Sequence, residues 1–250
     1  MSECLKWCID YLINYNHIKH LKYEYNFDTF RALMNITMPN DLSDEYYNRQ
    51  DLVLKTELSN KKLVFANELK YNDNIAIYKG DITLIKADAI VNACNEKLLG
   101  CFQPLHNCID NAIHSFAGLE VRRDLIEVMK NQGHDERNGC CKVTSAYNLA
   151  SKYIFHTVGP KIFINIKNQD INDLKNCYIS CLNEATKLQI NNIVFPCIAT
   201  GIYGFDKRKA SKIACNTVKE YLKNNNSNLK VIFNVFTKED YQLYKEELGE

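Results

Sequence analysis

From residue 74 onward, short β-rich segments alternate with longer stretches of helical periodicity, and this alternation limits the folds open to the chain. Apolar residues spaced three and four apart predict helices from about residue 108 through 133, over 173–190 and over 210–222. Segments rich in Ile, Val, Tyr and Phe predict strands at 75–79, 88–93, 153–158, 192–197 and 230–236. Such alternation is typical of an α/β fold, in which helices cover both faces of a mostly parallel sheet.

The first part of the sequence differs and predicts a helical N-terminal region over residues 1–70, ahead of an α/β domain over residues 71–250. In the segment ECLKWCIDYLINY, apolar residues recur every three or four positions and mark one face of a helix. A second helix in FRALMNITMP must end before Pro39. Ser43, followed by two acidic residues, predicts the start of a third helix that runs toward Leu54.

Charge and hydropathy exclude several classes of partner. The 31 basic and 30 acidic residues give a net charge of +1, whereas proteins built to hold nucleic acid usually carry a basic excess. No apolar run approaches the roughly 20 residues that cross a bilayer. The N-terminus also lacks the basic and apolar segments of a signal peptide. The sequence therefore predicts a cytoplasmic protein that binds neither nucleic acid nor a membrane.

The loop GCFQPLHNC, residues 100–108, contains two thiols and an imidazole. Cys101, His106 and Cys108 are zinc-binding residue types, and three protein ligands would leave one tetrahedral position open, as in catalytic zinc sites. Two alternatives remain open from the residues alone. The two cysteines could form a redox-sensitive pair, or a distant cysteine such as Cys140 or Cys141 could close a structural zinc site.

The residues after this loop predict where a catalytic group would stand. A helix that begins near His106 would place His106, Asp110 and His114 on one stripe, because residues four apart share a helix face. Asp110 would then lie one turn from the metal, while His114 is expected to be a hydrogen-bonded structural histidine. The N-terminus of such a helix also offers unpaired N–H groups to a phosphate.

Several motifs in this order resemble those of the macrodomain family. The segments YKGDIT (78–83) and DAIVNACN (88–95) resemble its GDIT and DAIVNAAN signature, and DNAIH, HTVGP and ATGIYGF resemble its later motifs. The loop GCFQPLHNC stands where a glycine-rich phosphate loop is usual, and this resembles the zinc-dependent branch. The leader-like segment 30–54 resembles the same branch. The resemblance implies a three-layer α/β/α fold with a mixed, mostly parallel sheet, and one Zn²⁺ per chain on Cys101, His106 and Cys108.

The resemblance further implies that ADP-ribose binds at the ends of the strands. Asp81 is expected to accept a hydrogen bond from the adenine amino group, although an aspartate before Ile-Thr can instead cap a helical turn. The amides of Asn92 and Asn95 both donate and accept, which suits ribose hydroxyls, and Asp110 with Asn92 is expected to serve catalysis. The predicted ligand-binding residues are Asp81, Ile82, Asn92, Asn95, Thr200, Gly201, Ile202, Tyr203, Gly204 and Phe205.

These observations together predict a zinc-dependent hydrolase that removes mono-ADP-ribose from protein side chains, with an ester link to an acidic residue favoured. Two alternatives are a binding module that holds ADP-ribose without cleaving it and a deacetylase of free O-acetyl-ADP-ribose. The expected partners are ADP-ribose and a mono-ADP-ribosylated protein. By resemblance alone, a lipoyl-carrier protein and a mono-ADP-ribosylating sirtuin are implied as well.

Overall fold

The computed structural model describes residues 3–18 and 22–249. The N-terminal region consists of three helices: α1 (Glu3–Tyr15), α2 (Phe27–Ile36) and α3 (Asp44–Ser59). The side chain of Ser43 accepts a hydrogen bond from the Tyr46 N–H, so the predicted start of the third helix is confirmed. Apolar side chains of the three helices form a core cluster of their own, which also includes Leu119 from the α/β domain.

The described part of the domain contains one six-stranded sheet and one two-stranded pair. In the large sheet every neighbouring pair is parallel except the last, in the order β2-β8-β7-β4-β6-β5, and β1 pairs with β3 in parallel. The strands are β1 (Val64–Phe65), β2 (Ile75–Lys79), β3 (Ile85–Lys86), β4 (Ala89–Cys94), β5 (Cys141–Ser145), β6 (Tyr153–Val158), β7 (Asn192–Phe195) and β8 (Lys230–Val235). The five predicted strands are confirmed. The antiparallel strand β5 was not predicted, because its segment CKVTS lies at the sheet edge and mixes polar with apolar residues.

Helices cover both faces of this sheet, in agreement with the predicted three-layer fold. They are α4 (Ile109–Ala117), α5 (Leu119–Gln132), α6 (Asn168–Lys187), α7 (Lys207–Asn224) and α8 (Lys238–Leu248). Adjacent strand residues point to opposite faces. Val91 and Phe195 therefore pack with α6 and α7, whereas Ile90 and Val194 pack with α4 and α5.

Two helix predictions need correction. The helical pattern from about residue 108 through 133 is not one helix, because Gly118 adopts a φ of 104° between α4 and α5, a value that favours glycine. Moreover, α4 begins at Ile109 and not near His106. The final helix α8 was not predicted; it starts with a capping box formed by Thr237 and Asp240.

The N-terminal helices dock on the domain through buried polar contacts. Gln50 of α3 accepts a hydrogen bond from the Leu119 N–H at 2.9 Å and donates one to the Glu120 carboxylate at 2.6 Å. Contact with the domain also begins ahead of the predicted boundary at residue 70, since Ala66 packs in the cluster between the sheet and helices α4 and α5. None of the helices in the described ranges combines the length and hydropathy that a bilayer-spanning segment needs.

Candidate functional site

The predicted functional residues follow strands that end at one edge of the sheet. Parallel strands β2, β4 and β7 share this edge, and the loops after them carry Asp81, Asn95 and Thr200. Ligands in open α/β sheets bind outside the carboxyl ends of the strands. The sheet therefore brings the sequence-predicted segments to the place where a ligand is expected.

The loop between β4 and α4 gathers three metal-binding side chains. Ligand atoms of Cys101, His106 and Cys108 lie within 4.8 Å of one another, and the Cys101 Sγ is 3.5 Å from the His106 Nδ1. Zinc bonds of about 2.3 Å to sulfur and about 2.0 Å to nitrogen place such atoms roughly 3.5–3.8 Å apart in a tetrahedron. The donor set and its spacing thus fit one zinc ion.

A fourth cysteine ligand is not supported. Among the residues that the structure describes, the only group of three or more candidate metal ligands is Cys101, His106 and Cys108. The three side chains are half-buried, so the cluster is reachable from solvent. With three ligands, the arrangement matches the open type of zinc site and not the closed structural type.

The start of α4 corrects the predicted stripe. Cys108 is the N-cap, and its Sγ accepts a hydrogen bond from the Asn111 N–H at 3.4 Å. His106 therefore lies ahead of the helix and does not share a helix face with Asp110 and His114. A turn orients it instead, in which the His106 N–H donates to the Gln103 carbonyl at 3.2 Å.

Asp110 is buried beside the cluster, with only 6% of its surface exposed. Its Oδ1 accepts a hydrogen bond from the Asn92 Nδ2 at 2.8 Å, and its Oδ2 accepts one from the Asn95 Nδ2 at 3.4 Å. Burial raises the pKa of Asp110 to about 6, although the Asn92 hydrogen bond and the nearby Arg122 charge both act to lower it. The two asparagines thus orient a carboxylate two residues beyond Cys108.

The two asparagines differ in access. Asn92 has no exposed surface, and its Nδ2 faces Asp110 and the His156 Nδ1, 3.3 Å away. Its Oδ1 has no hydrogen-bond partner among the described residues, and the expected contact of Asn92 with ribose stays a prediction. Asn95 is half-buried and its Nδ2 also donates to the Gly100 carbonyl at 3.1 Å, so it remains able to meet a ligand.

His114 is buried, as a structural histidine would be, but it is not hydrogen-bonded. Its two ring nitrogens have no hydrogen-bond partner among the described residues, and its Nε2 stands 3.5 Å from the Asp110 Oδ1. Burial lowers the pKa of His114, so the ring is neutral at pH 7. Gly100, at a φ of 83°, lies against this ring, and a Cβ there would come within 2.8 Å of it.

Asp81 caps a short helical turn, which agrees with the alternative considered for it. Its Oδ1 accepts hydrogen bonds from the Thr83 N–H at 2.9 Å and from the Thr83 hydroxyl at 2.7 Å. Both bonds go to one oxygen, and the carboxylate is exposed, so its other oxygen could still accept a hydrogen bond from adenine. The contact with adenine therefore stays a prediction, and it is compatible with the capping role. The neighbouring Ile82 has a buried side chain, so any contact with a ligand would be limited to its main chain.

The loop between β7 and α7 has an exposed tip and a buried end. Gly201, Ile202 and Gly204 are exposed, and Gly204 adopts a φ of 70°. Phe205 belongs to the core at 2% exposure, so its side chain does not line the exposed tip, and its contact with a ligand stays a prediction. Tyr203 is half-buried, and its carbonyl accepts a hydrogen bond from the Ile162 N–H at 2.8 Å.

Comparison with known proteins shows the family to which the chain belongs. The family model described as Macro domain matches residues 91–214. The protein-ADP-ribose hydrolase of Staphylococcus aureus (strain COL) is 44% identical over 252 residues, which cover 95% of this chain and 94% of that protein. The chain belongs to the macrodomain family. Human ADP-ribose glycohydrolase MACROD2 is 41% identical to this macrodomain over 179 residues, covering 71% of the chain and 40% of that protein.

A solved structure supports the same assignment. The Oceanobacillus iheyensis macrodomain with ADP has a TM-score of 0.66 and 33% identity to this macrodomain, and the match covers 72% of the chain and 94% of that structure. The predicted macrodomain family and fold are thus confirmed, whereas the zinc-dependent branch stays a prediction.

Three residues near the macrodomain's cluster escaped the sequence analysis. They are Asn35 and Arg122, which contact the loop between β4 and α4, and His156, which lies behind Asn92. His156 stands in the HTVGP motif, so its position carried a signal, but its contact with Asn92 did not. Two adjacent arginines occur at 122 and 123, and the sequence does not show which one is buried. The structure distinguishes them, because Arg122 is 1% exposed whereas Arg123 is exposed.

Proposed function

We propose that this macrodomain removes mono-ADP-ribose from modified protein side chains. The relatives that cover most of the chain carry the name protein-ADP-ribose hydrolase, and MACROD2 is named a glycohydrolase. One observation carries the proposal: the buried Asp110 carboxylate and the Cys108 thiol occupy the same first turn of α4. This supports the proposal, because a proton acceptor would then lie beside a three-ligand metal site at the edge of the sheet where a ligand is expected.

Zinc dependence is part of this proposal. Cys101, His106 and Cys108 would hold one Zn²⁺, and their spacing supports this assignment. A bound zinc ion with an open position supplies Lewis acidity, or lowers the pKa of a coordinated water to about 7. The predicted ester link to an acidic side chain and the lipoyl-carrier and sirtuin partners are parts of the proposal that rest on the resemblance. The cytoplasmic location is a further part, and it rests on the sequence-based expectation given above.

The protein's own residues orient the substrate and move one proton. The oxygen of a water molecule attacks the anomeric carbon of the ADP-ribose unit, and the bond from that carbon to the side-chain oxygen breaks. Asp110 takes the proton that the water loses, so the products are ADP-ribose and a free carboxylate. Asn92 and Asn95 hold both oxygens of Asp110 in place, and the unpaired N–H groups at the start of α4 favour a phosphate nearby.

A hydrolysis assay with metal control tests the proposal. The substrate is a protein that carries mono-ADP-ribose on an acidic side chain, and the enzyme is used as purified, after chelation and after zinc is restored. We expect about one zinc per chain, loss of cleavage on chelation and recovery with zinc. Asp110→Asn should keep its zinc and its ADP-ribose affinity while turnover falls roughly 10²–10⁴-fold.

Asp44→Asn is the matched control, because Asp44 also lies in the first turn of a helix but is exposed and distant in sequence from the cluster. It should leave zinc content and turnover unchanged. Binding of ADP-ribose without cleavage would make the protein a reader, and cleavage of O-acetyl-ADP-ribose alone would make it a deacetylase. Full activity after complete removal of zinc would contradict the metal dependence.

A further inference from the structure

The metal-ligand loop, residues 99–108, rests on the N-terminal helices at several points. Among its residues 102–105, Phe102 and Leu105 are 38% and 44% exposed, so apolar burial holds this stretch only in part. Leu105 adopts a φ of 54°, a left-handed conformation that a leucine side chain disfavours. Something other than the loop's own packing must therefore stabilise the turn that carries His106.

Asn35 of α2 provides that support. Its Oδ1 accepts a hydrogen bond from the Leu105 N–H at 3.0 Å, and its Nδ2 donates to the Ser115 hydroxyl of α4 at 2.9 Å. Asn35 is only 1% exposed, so its amide is held in one orientation. The Leu105 side chain is 44% exposed, so its own packing is limited. Among the described residues, the Leu105 N–H donates its hydrogen bond to Asn35.

Arg122 joins the same two parts at the start of the loop. Its guanidinium donates to the Leu99 carbonyl at 2.7 Å and to the carbonyls of Met34 and Thr37 at 2.9 and 2.5 Å. The guanidinium also lies 4.4 Å from the centre of the Phe102 ring. Burial lowers the pKa of Arg122 to about 10, so it remains a cation at pH 7.

A third contact reaches the loop through α4. Arg31 of α2 donates to the Asn111 Oδ1 at 3.2 Å, and the Asn111 Nδ2 donates to the Gln103 carbonyl at 2.9 Å. The ring of Phe27 stacks on Phe116 of α4, with centroids 5.9 Å apart. The metal-ligand loop is thus connected to α2 and its C-cap at three points. Leu99 and Gln103 are connected through other side chains, and Leu105 is connected directly.

We propose that the N-terminal helical region is a positioning scaffold for the metal-ligand loop, and that Asn35 is its central residue. Asn35 holds Leu105 in the left-handed conformation that aims His106 at Cys101, with Arg122 holding the loop's first residues. The proposal rests on the zinc site of the proposed function. It assigns the N-terminal region a role in organising a site to which it contributes no ligand.

Zinc affinity and amide exchange test this role. We expect Asn35→Ala to weaken zinc binding roughly 10- to 100-fold, the usual effect of removing a group that orients metal ligands. Competition with a chromophoric chelator measures this without reference to activity. Adding Leu105→Gly to Asn35→Ala should restore much of the affinity, because glycine adopts a positive φ without the cost to a leucine.

Thr37→Val is the matched control. It removes a buried hydroxyl near Asn35 in sequence, whose hydrogen bonds go to the Leu33 carbonyl and the Asn16 amide, within the N-terminal region. It should leave zinc affinity within about twofold of wild type while lowering thermal stability, as loss of a buried hydrogen bond does. An equal loss of zinc affinity in Thr37→Val would reduce Asn35 to a general stabilising residue and overturn its specific role.

Hydrogen exchange gives a second readout, and its measurement on the wild-type protein does not depend on a variant that folds. In zinc-free protein the Leu105 amide should be protected, and in Asn35→Ala it should exchange at least tenfold faster. Free exchange of the wild-type Leu105 amide would overturn the proposal. If wild type takes up no zinc, the metal part of the proposed function fails, and the exchange data still decide the role of Asn35. Unchanged zinc affinity in Asn35→Ala overturns the scaffold alone.

Discussion

Glu120 should make the docking of the N-terminal region depend on pH. Its carboxylate is 6% exposed in the first turn of α5 and accepts the Gln50 amide of α3 at 2.6 Å. Burial raises the pKa of Glu120 from its ordinary value of 4.5 to about 7, against the opposing effect of its hydrogen bonds, and the Asp51 charge adds to the rise. The folded protein therefore binds this proton more tightly than the unfolded chain does.

The size of the effect follows from these two pKa values. For an acid whose pKa is raised on folding, stability is lost as pH rises from the unfolded value through the folded one. Values of 4.5 and about 7 correspond to a cost of about 1 kcal/mol at pH 5 and about 3 kcal/mol at pH 8. Glu120→Gln cannot ionise and keeps an acceptor for Gln50. Its unfolding free energy relative to wild type should rise by about 2 kcal/mol between these pH values.

Urea unfolding at pH 5 and pH 8 measures this difference. The sequence contains one tryptophan, Trp7, which lies in α1 against the Tyr11 ring at 5.0 Å. Its fluorescence therefore reports on the N-terminal helices, while far-UV circular dichroism follows the whole chain. Glu127→Gln is the matched control, because Glu127 is exposed on the same helix. If the unfolding free energy of Glu120→Gln differs from that of wild type by the same amount at both pH values, the reasoning is refuted.

Two further substitutions test the ligand edge and the loop. Asp81→Ala should weaken ADP-ribose binding measured by calorimetry while zinc content stays at the wild-type level; unchanged affinity would leave Asp81 with its cap on Thr83 alone. Gly100→Ala should lower the free energy of unfolding by at least about 1–2 kcal/mol, because it places a Cβ 2.8 Å from the His114 ring at a positive φ. A melting curve like that of wild type would show that the loop adapts at no cost.

Elements with strong local periodicity were predictable from the sequence. Strands β4 and β6 each begin with three consecutive apolar residues, as expected of strands buried on both faces, and the cap at Ser43 is a local signal. The strand β5 escaped because an edge strand needs no continuous apolar run. The break at Gly118 escaped because the apolar spacing continues across it, and only the backbone conformation separates the two helices.

The candidate site divides in a similar way. The metal-binding residue types stand within eight positions of one another, so their proximity was readable from the spacing of Cys101 and Cys108. The role of Phe205 was not readable, because an aromatic residue next to a ligand loop can face the ligand or the core. In the structure Phe205 packs in the core cluster that includes residues of α6 and α7.

Most strands and helices, the family motifs and the three thiol and imidazole groups of one loop could be read from the sequence, because each depends on residues near one another in the chain. Which polar groups are buried, and what they contact, depends on the tertiary fold. Asn35 and Leu105 are 70 residues apart, and Asn92 meets Asp110 from a different element. Burial and hydrogen bonding between distant segments set the pKa of Asp110 and the geometry of the loop, and local sequence carries no record of those contacts.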